Sequence, residues 1–304
     1  GSEALEFILR ERAQLFAGVP VVHIGVDKEE ARPLQPLPAD VIGVLVEYDY
    51  ARTIELARTL NPRTRHVWVV TGADAWDREW ESVLRAGLPR LGNGLPVEFL
   101  AGLDRDELAV RLSALGRDDL VYTPGYFTDG AGRHVAPRDS ARDMAAVSGA
   151  PVYGPFNTFI GTGVVGGHMP TYVEMGRQAA RAIAALLDGT APTTLDLPDH
   201  MKPVDQVDWG QVRRWGFDPA RIPGDAIVHF REPSFWEANR GKVLAFGAVI
   251  AFQAALIAAL LLERRRRRRT ASALAQSEVR MNLAAQAARL STWIWDVTRN
   301  RFWA

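Results

Sequence analysis

The chain has 304 residues, with 36 basic and 36 acidic side chains and therefore no formal net charge, and 47% of its residues are hydrophobic. This composition indicates a folded protein with a sizeable core and gives no sign of a nucleic-acid partner. Because the chain contains no cysteine, disulfides, thiolate catalysis and zinc sites with cysteine ligands are excluded.

The first half of the chain alternates predicted strands with predicted helices. A helix comes first, and Ser2 is its candidate N-cap. Short apolar runs then predict strands at 19–26, 41–48, 66–72, 96–102, 119–125 and 150–155, and helices at about 50–60, 74–86, 104–115 and 138–148. This alternation predicts a parallel sheet with helices on both faces, whose strands are buried on both sides.

Aromatic and polar residues follow the ends of these strands. Ligands bind outside the carboxyl ends of the strands in such sheets, where aromatic, hydroxyl and amide groups suit a small molecule. The candidate ligand residues are Tyr48, Asp49, Tyr50, Tyr126, Phe156, Asn157 and Thr158. For Tyr48 and Phe156 the alternative is that they fill the core, and for Arg133 the alternatives are an anionic ligand and a solvated loop.

The stretch GTGVVGGH at 161–168 has the G-x-G-x-x-G spacing of a dinucleotide-binding turn. That turn needs a second strand ended by an acidic residue about twenty positions later, whereas 171–189 has the pattern of one amphipathic helix beginning at Pro170. We therefore predict no cofactor. Val164 and Val165, inside the glycine pattern of Gly161, Gly163, Gly166 and Gly167, favour a thin strand over a phosphate-binding turn.

Catalytic and metal-binding motifs are missing from the sequence. It has no G-x-S-x-G, H-E-x-x-H or Walker motif. The histidines His23, His66, His134, His168, His200 and His229 lack metal-ligand spacing, and His168 is the one most able to face a cleft. We expect no catalytic residue, no metal and no enzymatic activity in this chain.

Residues 243–262 are apolar apart from Gln253. At about 1.5 Å per residue they span roughly 30 Å, the thickness of a bilayer core, and a buried core helix is the alternative.

Six arginines follow this apolar segment closely: Arg264, Arg265, Arg266, Arg267, Arg268 and Arg269. The positive-inside rule then assigns 263–304 to the cytoplasm and 1–242 to the outside, with Trp236 as an interfacial aromatic residue. Beside a membrane span, the arginines are expected to meet anionic lipid rather than nucleic acid.

Three longer stretches resemble one protein family. PVYGPFNTFIGTGVVGGHMPTYVEMGRQAARAIAALLDGTAP (151–192) resembles the C-terminal half of the ABC-transporter-type substrate-binding domains that serve as extracellular sensors in bacterial sensor histidine kinases. IGVLVEYDYARTIELARTLNPRTRHVWVVTGAD (42–74) resembles their hinge and the start of their second lobe. IPGDAIVHFREPSFWEANRGKV (222–243) resembles the segment that joins such a sensor to its membrane helix.

The resemblance implies an α/β fold of the type I periplasmic-binding-protein kind. Two doubly wound parallel-sheet lobes would close on a ligand, here without the first strands and helix of lobe one, and a transmembrane helix and a cytoplasmic helix would follow. In this fold Gly161, Gly163, Gly166 and Gly167 would form a strand that crosses from lobe two back to lobe one, where missing side chains allow close backbone packing and hinge motion. The implied boundaries are 1–235 for the sensor domain, with lobe one at about 1–48 and 162–200 and lobe two at about 49–161 and 200–230, then 236–242 for the juxtamembrane segment and 243–262 for the transmembrane helix.

The tail extends the same resemblance. Residues 263–290 combine the basic run with a helix that is similar to a signalling helix, and STWIWDVTRNRFWA (291–304) resembles the opening strands of a PAS domain, where Trp293, Trp295 and Trp303 pack a core. The chain would then be a fragment of a bacterial sensor histidine kinase of the inner membrane. It would bind a small molecule between its lobes and dimerise through its membrane and signalling helices. The alternative is a membrane-tethered substrate-binding component of an ABC importer, which needs neither a signalling helix nor a PAS domain.

Overall fold

Parallel strands dominate the part of the chain that precedes the apolar segment. The computed structural model describes residues 1–91, 94–233, 235–288 and 293–303. The chain divides into two compact units, Gly1–Arg231 and Glu232–Ala304. The first contains two sheets, and the second contains the long apolar helix and a small hairpin.

The elements of the first unit follow the predicted order of strands and helices. Its strands are β1 (Val21–Asp27), β2 (Val41–Val46), β3 (His66–Thr71), β4 (Val97–Ala101), β5 (Asp119–Tyr122), β6 (Val152–Tyr153), β7 (Gly166–Met169), β8 (His200–Met201), β9 (Val204–Asp208) and β10 (Ile227–His229). Its helices are α1 (Ser2–Leu15), α2 (Lys28–Ala31), α3 (Tyr50–Leu60), α4 (Ala75–Leu91), α5 (Arg105–Ser113), α6 (Pro137–Val147), α7 (Tyr172–Leu187) and α8 (Trp209–Arg214).

The smaller sheet has three parallel strands in the order β1-β2-β8. On one face, Leu5 of α1 and Ala31 of α2 are buried with Val26 and Val41 of the sheet. On the other face, Met175 of α7 is buried with Val44, Val46 and Met201. Helices therefore cover both faces, which explains why these strands are continuous apolar runs.

The larger sheet has seven strands in the order β10-β9-β7-β6-β5-β3-β4. The strands from β4 to β7 are parallel, whereas β9 runs antiparallel to β7 and parallel to β10. Side chains of α3 and α8 pack in one hydrophobic cluster and those of α5 and α6 in another. The prediction of an α/β fold with parallel sheets covered on both sides is confirmed.

Two predicted helix starts differ from the observed ones, the first by one position and the second by two. Helix α1 begins at Ser2 itself, so Gly1 occupies the N-cap position. Helix α7 begins after Thr171, whose side chain accepts a hydrogen bond from the Glu174 backbone N–H, so Pro170 precedes the cap. Such a side-chain acceptor satisfies a backbone donor that the first turn leaves without an intrahelical partner.

The glycine-rich stretch lies in the larger sheet, which corrects its predicted place as a crossing strand of lobe one. Gly166 and Gly167 belong to β7, which pairs with β6 on one side and β9 on the other. Gly161 and Gly163 lie in the preceding loop with φ of 83° and 106°, in the left-handed region that favours glycine. The chain leaves this sheet for the smaller one only through α7, after β7 has ended.

The same prediction included close backbone packing at these glycines, and β7 does pack closely against the backbone on both of its sides. A Cβ atom on Gly166 would lie 2.1 Å from the carbonyl oxygen of Gln206, and one on Gly167 would lie 2.0 Å from the carbonyl oxygen of Gly154. Both obstructing atoms belong to the backbone, one in β9 and one directly after β6, so a rotamer change cannot relieve the overlap. Glycine is therefore required at both positions.

In the second unit, one helix continues through the arginine run. Helix α9 (Phe235–Ala287) has 53 residues and is about 80 Å long at 1.5 Å per residue. Among the described residues, Ala238–Ala287 is the one stretch of helix long and apolar enough to cross a membrane, with a mean hydropathy of 2.4 in its most apolar part. The segments predicted as a membrane helix and a signalling helix thus belong to one continuous helix. Residues 289 and 290, the last of the predicted signalling helix, lie outside the described residues.

The chain ends in a short antiparallel hairpin. Its strands are β11 (Ile294–Asp296) and β12 (Arg301–Trp303). The Asp296 carboxylate accepts hydrogen bonds from the backbone N–H groups of Thr298 and Arg299, which closes the turn. Of the predicted PAS start at 291–304, residues 291, 292 and 304 lie outside the described residues.

Gly167→Ala is expected to lower the free energy of unfolding by about 1–3 kcal/mol, the usual cost of forcing an atom into a packed interior. Gly176→Ala is the matched control, because a Cβ atom at this exposed position of α7 meets nothing within 4 Å. That control is expected to raise stability by about 0.5–1 kcal/mol, since alanine favours a helix over glycine. Denaturant unfolding followed by circular dichroism measures both, and equal effects of the two substitutions would contradict the packing argument.

Candidate ligand-binding cleft

Two adjoining cavities lie between the smaller sheet and the loops that follow the strands of the larger sheet. Their volumes are about 600 Å³ and about 350 Å³. Asp27, Glu30, Tyr48 and Trp76 line both cavities, and we refer to the two together as the cleft. This volume is in the range of sites for small molecules.

Strand ends and helix starts bring the lining residues of the cleft together. Asp27 ends β1, Tyr48 follows β2, and Phe156 follows β6. Trp76 and Trp80 lie one turn apart on α4, so they share a face of that helix. Because carboxyl ends of parallel strands meet at one edge of a sheet, side chains distant in sequence converge there.

A chain of aromatic contacts forms one side of the cleft. The Tyr48 ring makes edge-to-face contacts with Trp80 at 5.8 Å and with Phe156 at 5.3 Å between ring centroids. Phe156 continues the series to the buried Phe159, also at 5.3 Å. Edge-to-face geometry is the favourable arrangement of aromatic rings and stabilises their positions. Burial raises the pKa of the Tyr48 phenol, so this group stays protonated and can donate a hydrogen bond.

Carboxylates line the same cleft. The Asp27 carboxylate caps α2 and accepts hydrogen bonds from the backbone N–H groups of Glu29 at 2.8 Å and Glu30 at 3.4 Å. Burial raises the pKa of Asp27, and the nearby charges of Glu29 and Glu47 raise it further against the effect of those hydrogen bonds. Burial likewise raises the pKa of Glu30. The cleft therefore holds partly desolvated negative charge.

Comparison with known proteins identifies the fold. No protein-family model matches the chain, and no curated protein matches it in sequence. The structure is similar to that of a substrate-binding protein with adhesive properties from Clostridium difficile in its ligand-free, open form. Identity to that protein is 16%, the TM-score is 0.55, and 73% of this chain and 75% of that chain are covered. The fold is periplasmic-binding-protein-like.

Two further structures agree with this result. The ABC domain from Streptococcus pneumonia in complex with L-Trp has 16% identity and a TM-score of 0.50, with 68% of this chain and 72% of that chain covered. A conserved-domain protein from Vibrio cholerae O1 biovar El Tor has 17% identity and a TM-score of 0.50, with 71% and 74% covered. At such identities the likeness establishes the periplasmic-binding-protein-like fold and not a ligand.

The structure brings four of the seven predicted site residues into the cleft of this fold. They are Tyr48, Tyr50, Phe156 and Thr158. Tyr48 and Phe156 contact each other directly, so they contribute surface to the cleft as well as packing. The side chain of Thr158 is exposed, and its backbone carbonyl oxygen accepts a hydrogen bond from the Arg138 guanidinium at 3.2 Å.

Asp49 and Tyr126 have structural contacts outside the cleft lining. The Asp49 carboxylate is the N-cap of α3 and accepts a hydrogen bond from the Arg52 backbone N–H at 2.9 Å. Tyr126 is 2% exposed in the cluster formed by α5 and α6, and its hydroxyl donates to the Leu103 carbonyl oxygen at 2.5 Å. Sequence position after a strand predicted that these residues lie near the edge, but not where their side chains point.

Asn157 contacts another side chain of the protein. Its amide donates to Gln206 Oε1 at 2.6 Å. The same oxygen lies 2.9 Å from His229 Nε2, and Gln206 Nε2 donates to the Met169 carbonyl oxygen at 3.1 Å. Gln206 is fully buried. One buried amide thus joins the loop beside the cleft to strands β7, β9 and β10.

His168 and Arg133, the two residues singled out as further possibilities, are held by acidic neighbours. His168 Nδ1 lies 2.7 Å from Asp205 Oδ1, its partner across the β7–β9 pair. Arg133 Nε donates at 2.6 Å to Asp129, a fully buried carboxylate in the same loop. Neither residue is among those lining the cleft.

The sequence analysis missed Asp27, Glu30, Trp76 and Trp80, which line the cleft. Asp27 directly follows a predicted strand, so the rule applied to the later strands would have included it. The spacing of Trp76 and Trp80 shows that they share a helix face. Which partner that face meets depends on contacts between distant parts of the chain.

Proposed function

We propose that residues 1–231 bind a small molecule in the cleft and that this chain performs no chemistry on it. The observation that carries the proposal is the cleft itself, in which aromatic rings and carboxylates meet near strand ends of the two sheets. A concave site of this size and lining is typical of small-molecule recognition. The periplasmic-binding-protein-like fold supports the same function.

We further propose that the chain is the sensing and transmembrane part of a bacterial sensor histidine kinase. The continuous α9 supports this role, because it extends well beyond the 30 Å or so of a bilayer core, and the terminal hairpin is compatible with the opening of a PAS domain. Homodimerisation through α9 belongs to the same proposal. A membrane-tethered substrate-binding component of an ABC importer is the second candidate, and it is supported by the likeness to a substrate-binding protein.

The route from cleft to membrane that we propose runs through Gln206. Asn157 lies next to Phe156 of the cleft, and His229 ends β10, the last strand before the unit that contains α9. A ligand can change this arrangement only by binding one state of the protein more tightly than another. Because both side chains contact the same buried oxygen, a displacement of the 156–160 loop alters the environment of His229.

The cleft is tested with Tyr48→Ala. Removing this ring takes away both its edge-to-face contacts and its hydroxyl, so we expect at least about a tenfold loss of affinity for any compound that a thermal-shift screen of amines, amino acids, sugars and organic acids identifies. Tyr126→Phe is the matched control, because its ring lies in the cluster of α5 and α6. Titration calorimetry measures both variants. Unchanged binding by Tyr48→Ala would contradict the assignment of the cleft.

The coupling is tested with Gln206→Leu in the full-length protein. We expect binding of the screened compound to change by less than about fivefold while its effect on kinase autophosphorylation disappears, because the substitution removes the shared amide and leaves the aromatic side intact. Asn61→Leu is the control. It removes a buried amide that donates to the Arg117 carbonyl oxygen, and the response should persist. A full response in Gln206→Leu contradicts the route.

The membrane topology is tested with single cysteines, since the natural chain has none. Asp188→Cys, at an exposed position after α7, is expected to react with a membrane-impermeant maleimide in intact spheroplasts. Ser272→Cys, beyond the arginine run, is expected to react only after permeabilisation, because arginine-rich flanks stay in the cytoplasm next to anionic lipid. The reverse pattern contradicts the proposed orientation in the inner membrane.

A further inference from the structure

Acidic side chains outnumber cationic groups around the cleft. The carboxylates that line it are Glu3, Glu6, Asp27, Glu29, Glu30, Glu47 and Glu79, and the cationic groups are Lys28, Arg138 and the amino group of Gly1. The chain as a whole carries no net charge. The negative charge of the cleft is therefore a local feature and not a consequence of composition.

Two of these carboxylates have partners outside the cleft lining, an arginine for Glu29 and a histidine for Glu47. Glu29 pairs with Arg32 at 2.9 Å, and Glu47 lies 3.5 Å from His200. Asp27 and Glu30, which line both cavities, show no ion pair with any residue in the described part of the chain. Asp27 accepts hydrogen bonds from backbone N–H groups of α2, and for Glu30 the nearby Ser2 and amino terminus oppose the rise of its pKa.

Mutual repulsion shows that this compensation is incomplete. After burial, the charges of Asp27 and Glu79 raise the pKa of Glu30, against the lowering effects of Ser2 and the amino terminus. Like charges held together in a partly desolvated site destabilise one another. A bound cation reduces that cost, whereas an anion increases it and a neutral molecule gives no charge compensation.

The aromatic side of the cleft favours the same kind of ligand. The aromatic residues that line the cleft are Tyr48, Tyr50, Trp76, Trp80, Phe127, Phe156 and Tyr172. Trp76 lines both cavities together with Asp27 and Glu30, and it makes an edge-to-face contact with Phe127 at 6.2 Å. The face of an indole ring attracts a cation, and ammonium groups are recognised in proteins by aromatic rings combined with carboxylates.

We infer that the ligand of the cleft is an organic cation, an ammonium group on an apolar body, with the charge beside Asp27 and Glu30 and the body against the aromatic side. This inference rests on the proposed function, in which the cleft is the ligand site. It adds a chemical class that neither the fold nor the cavity volume specifies.

Three probes with the same body and different charge test the inference: phenethylamine, 2-phenylethanol and phenylacetate. Titration calorimetry uses the whole chain in detergent micelles at low ionic strength. We expect phenethylamine to bind about tenfold or more tightly than 2-phenylethanol, and phenylacetate more weakly than both. Raising the salt concentration should reduce the preference, since screening weakens charge interactions.

The contribution of the Asp27 and Glu30 carboxylates to binding is tested with the double variant Asp27→Asn, Glu30→Gln. Asparagine remains a good N-cap for α2, so the fold is expected to persist, with circular dichroism as the check. Affinity for phenethylamine should fall about tenfold, and affinity for 2-phenylethanol should stay within about twofold. Glu55→Gln is the control, because this glutamate pairs with Arg52 on α3 and is not among the residues lining the cleft.

The outcomes separate the inference from the proposed function. If 2-phenylethanol or phenylacetate binds as tightly as phenethylamine, and Tyr48→Ala abolishes that binding, the cleft is the ligand site and the inferred charge is wrong. If Tyr48→Ala binds every probe as well as the natural chain does, the cleft is not the site and the proposed function fails. Absence of measurable binding by phenethylamine at millimolar concentration overturns the inference.

Discussion

The close approach of backbones at β7 is the constraint on which the architecture depends. Gly166 and Gly167 let β7 lie against β9 and against Gly154, at distances that leave no room for a Cβ atom. At this strand the larger sheet changes from parallel to antiparallel pairing. The chain then leaves through α7, which packs on the smaller sheet. The strand at which the larger sheet changes from parallel to antiparallel pairing therefore also leads the chain back to the smaller sheet.

The cleft is a consequence of how the two sheets are connected. The chain passes from β2 into α3 and returns through α7, so residues after β2 and residues after β6 belong to different sheets and still meet. Tyr48 and Phe156, which are in contact, show this directly. The cleft has an aromatic side from both sheets, whereas Asp27 and Glu30 come from the end of β1 and from α2. The aromatic residues and the carboxylates of the cleft therefore come from different segments of the chain.

Much of the fold could be predicted from local pattern, and part of the site could as well. The β3 segment is recognisable because its valines are buried on both sides, and α3 because its apolar residues recur at helical spacing. Tyr48 and Phe156 were predicted because they follow strands. Tyr126 and Asn157 follow strands too, yet one packs beneath α5 and α6 and the other binds Gln206. Strand ends locate the backbone of a residue, while the direction of its side chain depends on neighbours far away in sequence.

The sequence by itself determined the alternation of strands and helices and the apolar segment with its arginines. These features depend on residues close together in the chain, through periodicity and hydropathy. Only the tertiary structure decided that β7 belongs to the larger sheet, where glycine is required at 166 and 167. It alone also decided that Gln206 joins Asn157 to His229, and that Asp27 and Glu30 line the same cleft as Tyr48 and Trp76. Each of these depends on contacts between segments separated by tens of residues, and local preferences do not specify which segments meet.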